Sequence, residues 1–152
     1  QASTLAGNAG LPANMDAWDG YPAARVRVFE ASLAANANLI SLAGDTHNAW
    51  GFDLAHSGQK VGVEFATPGV TSPGLESYLG AIPPQDLSRA IVNHNPALKY
   101  ADTSQRGYMV VELTPESASA EFRFMAGIRQ RSRRIAGTKR IVASAGSREL
   151  TI

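Results

Sequence analysis

The 152-residue chain contains no cysteine, which excludes disulfides, thiolate nucleophiles and zinc–thiolate sites built from this sequence. An excess of one charge is also lacking. The 14 basic and 13 acidic residues leave a formal net charge of +1, and so small an imbalance gives no support for a nucleic-acid or membrane partner. Long apolar runs are absent: none approaches the roughly 18–20 residues that a membrane-spanning helix needs. There is no internal repeat, no low-complexity tract and no sign of a second domain. What remains is ordinary. With 44% hydrophobic and 18% charged residues, the composition is that of a globular domain with a real core. The chain opens at Gln1 without a leader-like segment, as expected of a processed chain or a piece of something longer.

The opening "QASTLAGNAGLPANMDAWDGYP" is rich in Gly, Ala, Asn and Pro and reads as irregular chain. The first clear element is "YPAARVRVFEASLAANANL". Pro22 suits a first helical turn, where its missing N–H costs nothing. Val26, Phe29 and Leu33 fall at spacings of three and four, an apolar helical stripe, and Asn36 and Asn38 suit its end. Leu39–Ala43, apolar except for Ser41, reads as a short strand buried on both faces. Further on, "KVGVEFATPG" alternates, with Val61, Val63 and Phe65 on one face. One or two short helices are expected within "VTSPGLESYLG" and "IPPQDLSRAIVNHNPALKYAD". "GYMVVEL" and "SASAEFRFM" flank a turn at Pro115 and predict an antiparallel hairpin with one wet face. "KRIVASAG" predicts a last strand. The inventory is lopsided, and a doubly buried Leu39–Ala43 would need more neighbours than these elements provide.

The chemistry concentrates at Gly44-Asp45-Thr46-His47, directly after that strand, where ligand sites collect in α/β sheets. If the backbone stays extended there, side chains two apart point to one side, and Asp45 and His47 face a common point. Carboxylate with neutral imidazole is a ligand pair for Fe, Zn or Mn. An Asx-turn or a helix cap is the plain alternative. A complete site needs about three protein ligands or more, and His56 in "AHSGQK" and His94 in "NHNPAL" read as turn and loop residues.

The segment "MDAWDGYPAARVRVFEASLAANANLISLAGDTHNAW" resembles the late part of the PhoD-like alkaline phosphatases of the metallophosphoesterase superfamily. The likeness rests on Asp16, Trp18, Asp19, Gly20, Tyr21, Arg25, Gly44, Asp45 and His47. It continues through "VEFATPGVTSPGLESYL", "NPALKYADTSQRGYMVVELTPESASAEFRFM" and "IRQRSRRIAGTKRIVASAG". The resemblance implies an α/β fold: the C-terminal part of a four-layer α/β/β/α sandwich, with largely antiparallel or mixed sheet here. Residues 1–152 would form the C-terminal portion of one catalytic domain. It implies hydrolysis of phosphate mono- or diesters at two metal ions, iron with calcium (Zn or Mn as alternatives), with Asp45 and His47 as ligands. It also implies a periplasmic, secreted or cell-surface location. The first half of the family pattern is missing, so the chain alone is expected to hold metal poorly and to need that N-terminal part, covalently or as a separate chain. The competing reading is a non-catalytic binding module derived from the same fold. A β domain with an accidental G-D-x-H is a third.

Other residues have two readings each. Trp18 and Tyr21 suit a substrate mouth or a staple holding the loop on the helix start. Asn48 and Trp50 follow the ligand pair directly; Asn48 either orients His47 or serves a turn. Arg25 with Asp19 reads as a surface ion pair of little worth. Arg106 faces phosphate or, more simply, bridges to Asp102. The run Arg129, Arg131, Arg133 and Arg134 lacks interleaved aromatics and reads as solvated surface.

Overall fold

In the computed structural model, residues 15–152 are described; most of the irregular opening lies outside them. A single 3-10 turn, Trp18–Gly20, leads into helix α1, Pro22–Ala34. Pro22 does occupy the first turn, and the first helical bond runs from the Arg25 N–H to the Tyr21 carbonyl. The helix stops before Asn36, whose φ of 49° is the left-handed conformation common after helix ends. Seven strands follow, with helix α2 (Pro84–His94) between the third and fourth: β1 Leu39–Ala43, β2 Ala49–His56, β3 Gln59–Ala66, β4 Leu98–Asp102, β5 Gly107–Leu113, β6 Ser117–Met125 and β7 Ile135–Ser144. A second 3-10 turn spans Leu75–Ser77.

The strands form two sheets. The first is mixed, in the order β1-β3-β2-β4; the second is antiparallel, in the order β5-β6-β7. β2 and β3 are a hairpin closed by Ser57 and Gly58, both at positive φ, as a two-residue turn between right-twisted strands requires. The Thr114 hydroxyl receives the Glu116 and Ser117 N–H groups in the β5–β6 turn. The predicted hairpin and last strand are therefore present, and the basic run lies on the exposed β6–β7 loop.

The two sheets face each other. Alternation puts Val63 and Phe65 of β3 and Ala49 of β2 on the inner side, against Ala118, Ala120, Phe122 and Phe124 of β6 and Ile141 and Ala143 of β7. The opposite side of the first sheet presents Trp50, Phe52 and Ala66 to Leu87 and Ile91 of α2. Among the described residues this makes three layers, helix on sheet on sheet. The outer face of the second sheet is wet, carrying the Glu121–Arg123 and Glu112–Arg140 ion pairs.

One expectation is reversed. β1 is an edge strand and not a doubly buried one: it pairs only with β3, in parallel, and Leu42 is 59% exposed. The strand buried on both faces is β3, where Val61, Val63 and Phe65 are fully covered on one side and Glu64 and Ala66 nearly so on the other. Apolar composition alone marks a strand but not its place in the order. Gly62 lets the two strands meet: a Cβ there would stand 2.0 Å from the Leu39 carbonyl oxygen and 2.7 Å from the Leu39 Cβ. Gly62→Ala is expected to displace β1 and cost about 1–3 kcal/mol, read as faster amide exchange at Leu39–Ala43 with β6 and β7 unaffected.

Candidate metal centre

β1, β3 and β4 all run the same way, so their carboxyl ends share one edge of the first sheet. Three loops leave that edge and bind one another: 44–48, 67–76 and 103–106. The Thr67 N–H donates to the Ala43 carbonyl at 2.9 Å, the Gly107 N–H to the Gly69 carbonyl at 3.1 Å, and the Glu76 N–H to the Thr103 carbonyl at 3.3 Å.

Within the first loop the backbone is not extended. Asp45 and His47 have φ of 68° and 60°, left-handed values that L-residues other than glycine seldom adopt. The simple alternation of side chains therefore does not apply. Thr46 is the pivot between the two residues. Its N–H donates to the Gly44 carbonyl at 2.8 Å, its hydroxyl accepts the Trp50 indole N–H at 2.7 Å, and its carbonyl accepts the Asn48 side-chain amide. Trp50 is buried among Phe52, Leu87 and Leu98, so it anchors the loop from the core. Left-handed residues on either side of a pinned third persist only because the surrounding contacts hold them.

Both side chains are exposed. His47 Nδ1 lies 3.1 Å from the Pro73 carbonyl oxygen. A carbonyl only accepts, so Nδ1 donates here, and in its neutral form the ring has its lone pair at Nε2. This is how proteins fix a histidine ligand's tautomer. Gly69 packs against the same residue; a Cβ there would approach the His47 Cβ to 3.2 Å. Asn48 acts on the partner loop rather than on His47 itself: its side-chain oxygen accepts the Leu75 N–H at 3.0 Å, two residues beyond Pro73.

Arg106 points neither to open solvent nor to Asp102. It pairs with Glu76 and donates to the Ser104 carbonyl, while Asp102 accepts the N–H groups of Ser104 and Gln105 in a local turn. Arg25 does bind Asp19, at 2.8 Å, but the aspartate side chain is only 2% exposed, so this is no surface pair. Trp18 lines a cavity beneath α1, away from the loop cluster, and Tyr21 stands exposed before the helix. His94 ends α2, its ring bonded to the Ala90 carbonyl at 2.8 Å; His56 ends β2 at 3.9 Å from Glu30. Among the described residues no group of three or more His, Asp or Glu is placed to hold a metal. The pair at 45 and 47 stands without a third.

The sequence reading passed over Pro73, Gly69 and Glu64. The first acts through a backbone carbonyl, which no residue type announces. Glu64 was visible as the one acid inside an apolar strand. It is 5% exposed, and burial pushes its carboxyl up, against the pull of a Ser41 hydrogen bond. The native state then binds that proton more tightly than the unfolded chain does. The Glu64 contribution consequently turns unfavourable as pH rises from the ordinary glutamate range through the raised folded value. Glu64→Gln is expected to be more stable than the parent chain at about pH 7.5 and to lose that advantage near about pH 4.5, measured by paired thermal melts.

A family model described as PhoD-like phosphatase matches residues 1–122. Alkaline phosphatase D of Bacillus subtilis (strain 168) is 34% identical over 118 residues, covering 74% of this chain and 19% of that protein. A solved structure described as "Structure of PhoD" superimposes with a TM-score of 0.73 at 27% identity, covering 91% of this chain and 26% of that chain. The chain thus spans only about a fifth to a quarter of the length of these relatives. The mixed sheet facing an antiparallel one is the architecture shared with that structure, and by the match over most of its sequence this chain belongs to the PhoD-like phosphatase family.

Proposed function

We propose that, within a complete protein, this chain contributes Asp45 and His47 to a two-metal centre that hydrolyses phosphate mono- or diesters. The observation that carries the reading is the Nδ1–H bond from His47 to the Pro73 carbonyl, which leaves Nε2 as a directed donor on an exposed loop. The donor chemistry fits one part of such a centre: an imidazole of fixed tautomer and a carboxylate, both solvent-facing, both held by a pinned threonine. The remaining ligands are assigned to polypeptide preceding this segment, covalent or in a separate chain. The chemistry such ions supply is polarisation of phosphoryl oxygens and activation of water. This chain's share is to hold two donor groups in place before the ions arrive, so that little reorganisation remains. Iron with calcium is the proposed pair, with zinc or manganese as alternatives, and the proposed location is periplasmic, secreted or cell-surface. On its own the chain should turn over little substrate, because two side chains do not fix two ions.

Asp45→Ala in the full-length protein tests this. Metal content per chain is expected to fall along with phosphatase activity while the fold persists, since Asp45 is exposed. Unchanged metal and unchanged turnover would remove the assignment and favour a non-catalytic module.

A further inference from the structure

A cavity of about 340 Å³ lies between α1 and the helix-side face of the first sheet, separate from the loop cluster. Three aromatic residues line it: Trp18 from the opening 3-10 turn, Phe29 from α1 and Phe52 from β2. Glu64 stands in its wall from the doubly buried strand. The Ser41 hydroxyl donates to Glu64 Oε2 at 3.1 Å, whereas Oε1 is buried with no hydrogen-bond partner. The other charged groups at the cavity are committed. Arg25 binds Asp19 at 2.8 Å, and Asp53 holds Lys99 at 3.5 Å and the Leu150 N–H at 2.8 Å.

A buried carboxylate with one oxygen short of a donor is costly, and a strand that packs on both faces has no structural use for one. Alanine or valine there would pack at no such cost. The aromatic faces beside it carry negative quadrupole charge and attract cations, most strongly where water is excluded. A ligand with an ammonium head and a short apolar tail meets every one of these features. The head supplies the missing N–H to Oε1, and the tail lies on the rings. A volume near 340 Å³ suits a compact molecule at the lower end of ordinary ligand pockets.

We propose that this cavity binds a small primary alkylammonium ion, at a site distinct from the Asp45–His47 loop and independent of the phosphatase reading. The test is calorimetric titration of the full-length protein with butylammonium chloride, with 1-butanol as the neutral counterpart of similar shape. Saturable binding of butylammonium, at least about tenfold tighter than butanol, is expected. Glu64→Gln keeps the shape and a hydrogen-bonding partner for Ser41, so it should fold, and it is expected to lose about tenfold or more in butylammonium affinity. Trp18→Ala, at a half-exposed position, should weaken binding several-fold without unfolding. No saturable binding, equal affinity for butanol, or an affinity unmoved by Glu64→Gln would each overturn the proposal.

Discussion

His47→Ala in the full-length protein is expected to lower kcat/KM for a phosphate ester by more than about 100-fold. Removing even an outer hydrogen-bonding partner of a metal ligand costs roughly 10- to 100-fold, and the proposed ligand itself must count for more. Metal occupancy should fall with activity. Stability should not, because the ring is exposed and its one bond, to the Pro73 carbonyl, closes a surface loop. His47→Gly separates the roles further. At φ 60° a glycine relieves the left-handed strain that alanine retains, worth about 1 kcal/mol. The glycine variant should therefore be as inactive as the alanine variant and more stable than it. If His47 were only a loop residue, its replacement by glycine would leave turnover intact.

Phe122→Ala is expected to be the most destabilising single change in the inter-sheet core, at about 3–5 kcal/mol. Phe122 has no exposed surface and sits at the centre of the β5-β6-β7 sheet's inner face. Its ring lies 5.2 Å from that of Tyr100 on the first sheet and stacks with Phe124 at 6.4 Å. Truncation removes both ring contacts and leaves a void that β-sheet backbones on either side cannot collapse into. The expected readout is a lower guanidinium midpoint at unchanged slope. Val110→Ala on the wet face of the neighbouring strand should stay within about 0.5 kcal/mol of the parent, showing that the loss belongs to the sheet–sheet interface.

The period-two alternation of "SASAEFRFM" and "KVGVEFA", the Pro22 start, the Asn36 stop and the Ser57-Gly58 turn are local signals, and each determined its element because strand pleat, helix pitch and turn dihedrals are set by nearest neighbours. The family, too, was written in residue order. Tertiary structure alone decided which strand is central. Leu39–Ala43 and Gln59–Ala66 are both apolar enough, and only pairing with β2 on one side and β1 on the other made β3 the buried one. Long-range contact likewise decided the partners of the polar groups. Arg106 found Glu76, thirty residues away, instead of nearby Asp102, and His47 found the Pro73 carbonyl across twenty-six. Hydrogen bonds between loops depend on where whole strands end in space, and burial sets the charge balance at Glu64 through the helix laid over it. Neither is encoded in the few residues on either side, which is why the Asp45–His47 motif could be read from the chain but the carbonyl that holds the His47 ring could not.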